Sequence, residues 1–192
     1  MRRLRLPALA LLIVLAVGLA LPSCRTTVPN RDPSGEIFPT VACEGLDGEV
    51  WTLPEDLAGQ PAVLLVGYVQ DTQFDLDRWL LGLLQAETPG QVLEVPTIPG
   101  LVPGMFRGQI DGGMRSGIPS EDWGSVVTVY GDEAERIVTA TGNERPRNGR
   151  VMVLDAKGRI VWFHDRGYSA TKVLELDTTV RQLADEDGKP DE

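Results

Sequence analysis

Sulfur is scarce in this chain. Its 192 residues include two cysteines, Cys24 and Cys43, and no C-x-x-C pair, so the spacing that dithiol redox chemistry needs is missing. His164 is the only histidine. A zinc centre or a Ser-His-Asp triad needs partners that no nearby motif supplies, so His164 reads as a surface or hairpin-end residue. Positive charge is also short, with 18 Lys and Arg against 28 Asp and Glu and a net charge of −10. Such a surface repels phosphate backbones and anionic headgroups, which argues against a nucleic-acid binder. No G-K-S/T follows Gly108, Gly112 and Gly113, so no phosphate loop is spelled. There is no internal repeat and no low-complexity tract, and only residues 8–21 form a long apolar run.

Arg2, Arg3 and Arg5 precede that run, and Pro22, Ser23 and Cys24 follow it. A basic start, an apolar core short for a bilayer span, and small residues before a cut site describe an export signal. Leu21-Pro22-Ser23-Cys24 resembles the lipobox of bacterial lipoproteins, with Pro22 where that family usually has a small aliphatic or hydroxyl residue. The resemblance implies cleavage before Cys24, a diacylglyceryl group on its thiol, and attachment to a membrane by lipid rather than charge. The other readings are an ordinary secretory signal or an uncleaved anchor helix. Without residues 1–23 the chain carries 15 basic and 28 acidic side chains, a net −13.

Four regions are expected: a signal over 1–23, an extended polar tether over 24–35, one domain over 36–184, and a disordered acidic tail over 185–192. The domain is long enough for a single hydrophobic core. Residues 37–43 and 49–53 read as a hairpin around Asp47-Gly48. Residues 62–69 (AVLLVGYV) form the continuous apolar run of a strand covered on both faces. Leu76, Trp79, Leu80, Leu83 and Leu84 then recur at helical spacing. Residues 91–96 read as a strand, 105–115 as a helix, 126–130 as a strand and 132–139 as a helix opened by Asp132. A second hairpin joins 151–155 to 159–164, and a helix over 171–183 follows. The order ββ, βα, βα, βα, ββ, α predicts an α/β sandwich around a mixed sheet.

Several of these segments resemble the peroxiredoxin and TlpA-like branches of the thioredoxin superfamily. They are Phe38-Pro39, the stretch 46–53 (LDGEVWTL), AVLLVGYV, and 153–161 (VLDAKGRIV). The resemblance implies a thioredoxin-like sandwich with an N-terminal β-hairpin over roughly 37–183. It also places the redox site in the loop after the first central strand, and here that loop reads Gln70-Asp71-Thr72-Gln73-Phe74-Asp75, with no cysteine. Gly149 stands where the family's cis-proline faces that loop. A thiol reductase or peroxidase without its sulfur has no nucleophile. A weaker likeness, at 113–119 (GMRSGIP) and 128–132 (TVYGD), is to the ATP-synthase assembly-factor family. It implies a membrane-associated, chaperone-like role.

The remaining candidates are few. Asp71, Asp75 and Asp77 suggest either a cation or acid–base site, or acidic first-turn residues with Asp71 or Thr72 capping the helix. The cap is the simpler reading. Arg145, Arg147 and Arg150 read as solvating a loop, with anion recognition as the alternative. Cys43 reads as a small buried hydrophobe. Trp123 reads as a core-edge anchor or an exposed contact. The expected protein is a lipid-anchored, redox-inactive, non-enzymatic binding or assembly factor of the cell envelope, with no metal and no cofactor. Its binding surface is expected to draw on Gln70, Asp71, Thr72, Gln73, Arg115, Trp123, Gly149 and Arg150. A single-cysteine thiol enzyme using Cys43 and a small-ligand carrier are the alternatives.

Overall fold

The computed structural model describes residues 27–100 and 104–187. The expected signal over residues 1–23, Cys24, and residues 188–192 of the acidic tail lie outside the described residues.

Seven strands form one mixed sheet: β1 (Val41–Gly45), β2 (Val50–Leu53), β3 (Ala62–Gly67), β4 (Gln91–Ile98), β5 (Val127–Tyr130), β6 (Arg150–Leu154) and β7 (Ile160–His164). Their spatial order is β2-β1-β5-β4-β3-β6-β7. Strand β3 pairs parallel with β4 and antiparallel with β6. Residues 62–66 of β3 are all buried, as a continuous apolar run in a two-sided sheet requires. Ala62, Leu64 and Val66 enter one core while Val63 and Leu65 enter the other, following the two-residue period of a strand.

Among the described residues there are four α-helices: α1 (Gln73–Gln85), α2 (Gly104–Gly117), α3 (Gly131–Thr141) and α4 (Ala170–Asp187). Leu76, Trp79 and Leu83 of α1 pack with Val173, Leu176 and Val180 of α4 on one face. Ala134, Ile137 and Val138 of α3 pack with Phe38, Val41 and Tyr68 on the other. The predicted element order and the thioredoxin-like α/β sandwich are therefore present.

The details depart in places. The first hairpin forms around Asp47-Gly48 as expected, with Cys43 opposite Trp51, but its first strand begins only at Val41, because Ile37 bridges to Arg159 at the sheet's far edge. Leu84, expected on the buried helix face, is 66% exposed. Asp132 makes no capping bond; Tyr130 holds the cap position of α3. Helix α4 runs through Asp187, so residues 185–187, assigned by composition to the tail, continue the helix.

The largest departure is at the N-terminal side. Residues 28–35, read as an extended tether, form a strap docked on the domain. Val28 N–H donates to Asn143 Oδ1 at 2.8 Å, and Asn143 N–H donates back to the Val28 carbonyl at 2.9 Å. Asn30 is the hub. Its amide donates to Asp165 Oδ2 at 2.7 Å, and its carbonyl oxygen accepts from Arg150 Nη2 at 2.8 Å and Glu144 N–H at 2.9 Å. Further along, Gly35 N–H donates to the Ile160 carbonyl and Phe38 N–H to the Gly158 carbonyl. Gly142 adopts φ +72° beneath the strap, where a Cβ would overlap the Pro29 carbonyl. Only glycine satisfies both demands at low cost.

Candidate functional site

In this architecture ligands and chemistry gather beyond the carboxyl ends of the parallel strands. The chain leaves β3 at Gly67 and passes through Tyr68 and a turn over Gln70–Thr72 before α1 begins. Two side chains of this turn, Asp71 and Thr72, are engaged, as is Gln73 at the start of the helix, while Gln70 is exposed. Asp71 forms an exposed ion pair with Arg147 at 3.1 Å. Thr72 is buried; its hydroxyl accepts from Val69 N–H at 3.2 Å and donates to the Pro146 carbonyl at 2.7 Å. Neither caps α1 by a side-chain bond, so the expected cap is replaced by bonds that tie the turn to the 142–149 loop. Gln73 donates from Nε2 to Asp77 Oδ1 at 2.8 Å and to Glu94 Oε2 at 3.0 Å. Burial raises the pKa of Glu94 above its ordinary value, with Asp77 and Asp122 adding to the rise and the Gln73 bond opposing it.

Asp75 closes the site. Its Oδ2 accepts from Gly149 N–H at 2.8 Å and its Oδ1 from Tyr168 N–H at 2.6 Å. One carboxylate in the first turn of α1 thus joins the loop before β6 to the loop before α4. Glycine fits closely at position 149, where a Cβ would displace Leu76 Cδ2 and touch Asp75 Oδ2. A proline there would also lack the N–H that Asp75 binds. The acidic trio is thereby divided among an ion pair, a backbone clamp and an amide contact. No group of three or more His, Cys, Asp or Glu among the described residues could hold a metal ion.

Arg150 overturns its sequence reading. Arg145 and Arg147 are exposed loop residues, whereas Arg150 is fully buried at the start of β6. Its Nη1 donates to the carbonyls of Arg145 and Asn148, each at 2.7 Å, and its Nη2 donates to Asn30. The guanidinium carbon lies 5.1 Å from the centre of the Tyr68 ring, within cation–π range. Burial lowers its pKa, against the opposing influence of Tyr68 and Asp165. Arg150 is a buried fastener for the 145–148 loop and the strap, not part of an open binding surface.

Arg115 and Trp123 form a separate pair. Arg115 Nε donates to the Leu46 carbonyl at 2.6 Å, its guanidinium carbon lies 5.7 Å from the Trp123 ring centre, and Trp123 Nε1 donates to the Ile118 carbonyl at 3.0 Å. They brace the crossover between α2 and β5 against the turn after β1. His164 ends β7, with its Nε2 2.9 Å from the Gly167 carbonyl and its ring beside Trp79 and Trp162.

Cys43 is the only cysteine among the described residues, and it is buried. Its thiol contacts the Trp51 carbonyl at 3.7 Å. Desolvation, with Asp56 and Glu133 nearby, pushes its pKa up to about 12. A thiol so placed is protonated near neutrality and is a poor nucleophile. Asp75, Asn30, Tyr68 and the burial of Arg150 were not foreseen as parts of one assembly. Their partners lie far apart in the chain and carry no local motif.

No protein-family model matches the chain, and no curated protein matches its sequence. Solved structures do. BsSco, of the Sco family of cytochrome c oxidase assembly proteins, is 11% identical with a TM-score of 0.55, covering 81% of this chain and 99% of that one. A thioredoxin-like protein from Porphyromonas gingivalis is 17% identical with a TM-score of 0.50, covering 83% and 97%. The exposed lipoprotein thioredoxin of Streptococcus pneumoniae strain TIGR4 is 14% identical with a TM-score of 0.50, covering 73% and 99%. At these identities the likeness concerns the backbone alone, and on that measure the chain has a thioredoxin-like fold.

Proposed function

We propose that this protein is a lipid-anchored adaptor of the bacterial cell envelope, a thioredoxin-like domain that binds or helps assemble another envelope protein and performs no redox chemistry. The observation that carries the reading is the state of the redox position. The loop after β3 has no sulfur, and Asp75, Thr72 and Gln73 tie it to its neighbours. The solved relatives lend direction: one belongs to a family of oxidase assembly proteins, and another is an exposed lipoprotein. Anchoring rests on the lipobox-like run ending at Cys24. The partner surface centres on Gln70, Asp71 and Gln73, the residues of the turn and first helical position with exposed side chains or partly exposed bonds. The likeness to ATP-synthase assembly factors narrows the partner class to membrane-protein complexes under construction. The thiol alternative is disfavoured by the burial of Cys43.

Cross-linking in the native envelope tests this. The full-length chain should capture a dominant protein partner, and a Cys24→Ala variant should lose or weaken that capture. A phenotype abolished by Cys43→Ser would instead support the thiol enzyme. A ligand-dependent rise in melting temperature without protein capture would support a small-ligand carrier.

A further inference from the structure

Three features converge on one end of the sheet. The first is where the strap meets the body. Asn30 is bound to Arg150, and Arg150 pairs with Val66 near the carboxyl end of β3. Val28 sits on Asn143, one residue past the Gly142 that admits the strap. The second is the distribution of exposed aromatic rings. Of four phenylalanines, Phe74 is 76% exposed and Phe106 49% exposed. Both lie in the first turn of a helix, α1 after β3 and α2 after β4. Those strands are parallel with Gly67 opposite Pro96, so both helices start from the same end of the sheet as the strap. The third is chain length. Only Arg25, Thr26 and Thr27 separate Cys24 from Val28, a covalent reach of at most about 14 Å.

We infer that the carboxyl end of the parallel strands is the face of the domain that lies on the bilayer, with Phe74 and Phe106 seated in the headgroup region. The inference rests on the lipid at Cys24 proposed above. A flexible tether of a dozen residues would leave orientation free, but a docked strap does not. Asn30 and Gly142 fix where the chain leaves the body, and the short remainder brings that end to the membrane. The negative net charge of the protein opposes approach to anionic lipid, so the contact relies on the acyl anchor and on apolar rings that gain by leaving water. A partner that reaches the turn at residues 70–73 then has to come from within or immediately beside the bilayer.

The test uses full-length lipidated protein in vesicles of phosphatidylethanolamine and phosphatidylglycerol containing a nitroxide-labelled lipid. A fluorophore is placed at Gly104→Cys, on the proposed contact end, or at Lys157→Cys, on the β6–β7 turn at the opposite end. Gly104 has open space around it and Lys157 is exposed, so both labels are tolerated, while buried Cys43 escapes labelling. The expected result is several-fold stronger quenching at position 104 than at 157. Adding Phe74→Ala and Phe106→Ala should remove most of the difference. Equal or reversed quenching on protein that floats with the vesicles and carries the acyl mass on Cys24 overturns this orientation alone. Absence of the acyl mass overturns the anchoring reading and this inference with it. A difference that survives the double alanine change overturns the role of the rings.

Discussion

A methyl group added at Gly149 would overlap Leu76 Cδ2 and press on the Asp75 carboxylate, whereas one added at Gly108 in α2 meets nothing within 4 Å. Gly149→Ala should therefore destabilise by about 1–3 kcal/mol. Gly108→Ala should be neutral or stabilising by up to about 1 kcal/mol. Paired thermal melts check both. Cys43, with its thiol pushed to about 12, should resist iodoacetamide in the folded protein and react once guanidinium unfolds it. Glu94 offers a pH test with a definite sign. Its pKa is raised in the fold, so its contribution to stability is fullest below the ordinary carboxyl value and declines as pH rises through the folded value. Glu94→Gln should raise the melting temperature near neutrality and leave it nearly unchanged in acid, as melts across a pH series would show. Arg150 marks where reading single residues from sequence fails. Its place in a run of arginines suggests a solvated loop, while its true partners, Tyr68 and Asn30, are fixed only by the fold.

At the level of elements, periodicity was legible wherever an element buries a face. The continuous apolar run of β3, the helical spacing of Leu76, Trp79 and Leu83, and the β6–β7 hairpin all form within a few residues of their expected bounds. Composition misled at both flanks. The segment PNRDPSG looks like a linker because it has no apolar anchor and its prolines break regular structure. Yet Asn30 finds partners at positions 144, 150 and 165, beyond the reach of any local pattern. Asn30→Ala removes a hub whose two amide atoms take part in three bonds, and leaves Arg150 and Asp165 short of partners in a partly buried place. The expected loss is about 1–3 kcal/mol. Hydrogen exchange should quicken first at Val28 and Arg31, and it should leave the β3 amides protected.

For the whole molecule, one sheet covered on both faces is held without any covalent cross-link among the described residues. A reductant such as dithiothreitol should leave its melting temperature unchanged. A drop on reduction would reveal a disulfide involving Cys43 and count against the redox-inactive reading. The fold class was legible because seven strand-length segments alternate with helices in an order few topologies accommodate. The working surface was not legible, because a loop without cysteine, residues 70–75, carries no residue pattern that names a task. The latch at Asn30 also has a mechanical meaning. Tension on the chain ahead of Val28 would reach the strap before the sheet, peeling Val28 first and loading Asn30 next. Release of residues 28–35 would lengthen the molecule by up to about 28 Å while the seven strands stayed paired. A pull from the N-terminal side would then be met by a yielding, re-formable fastening ahead of any rupture of the core.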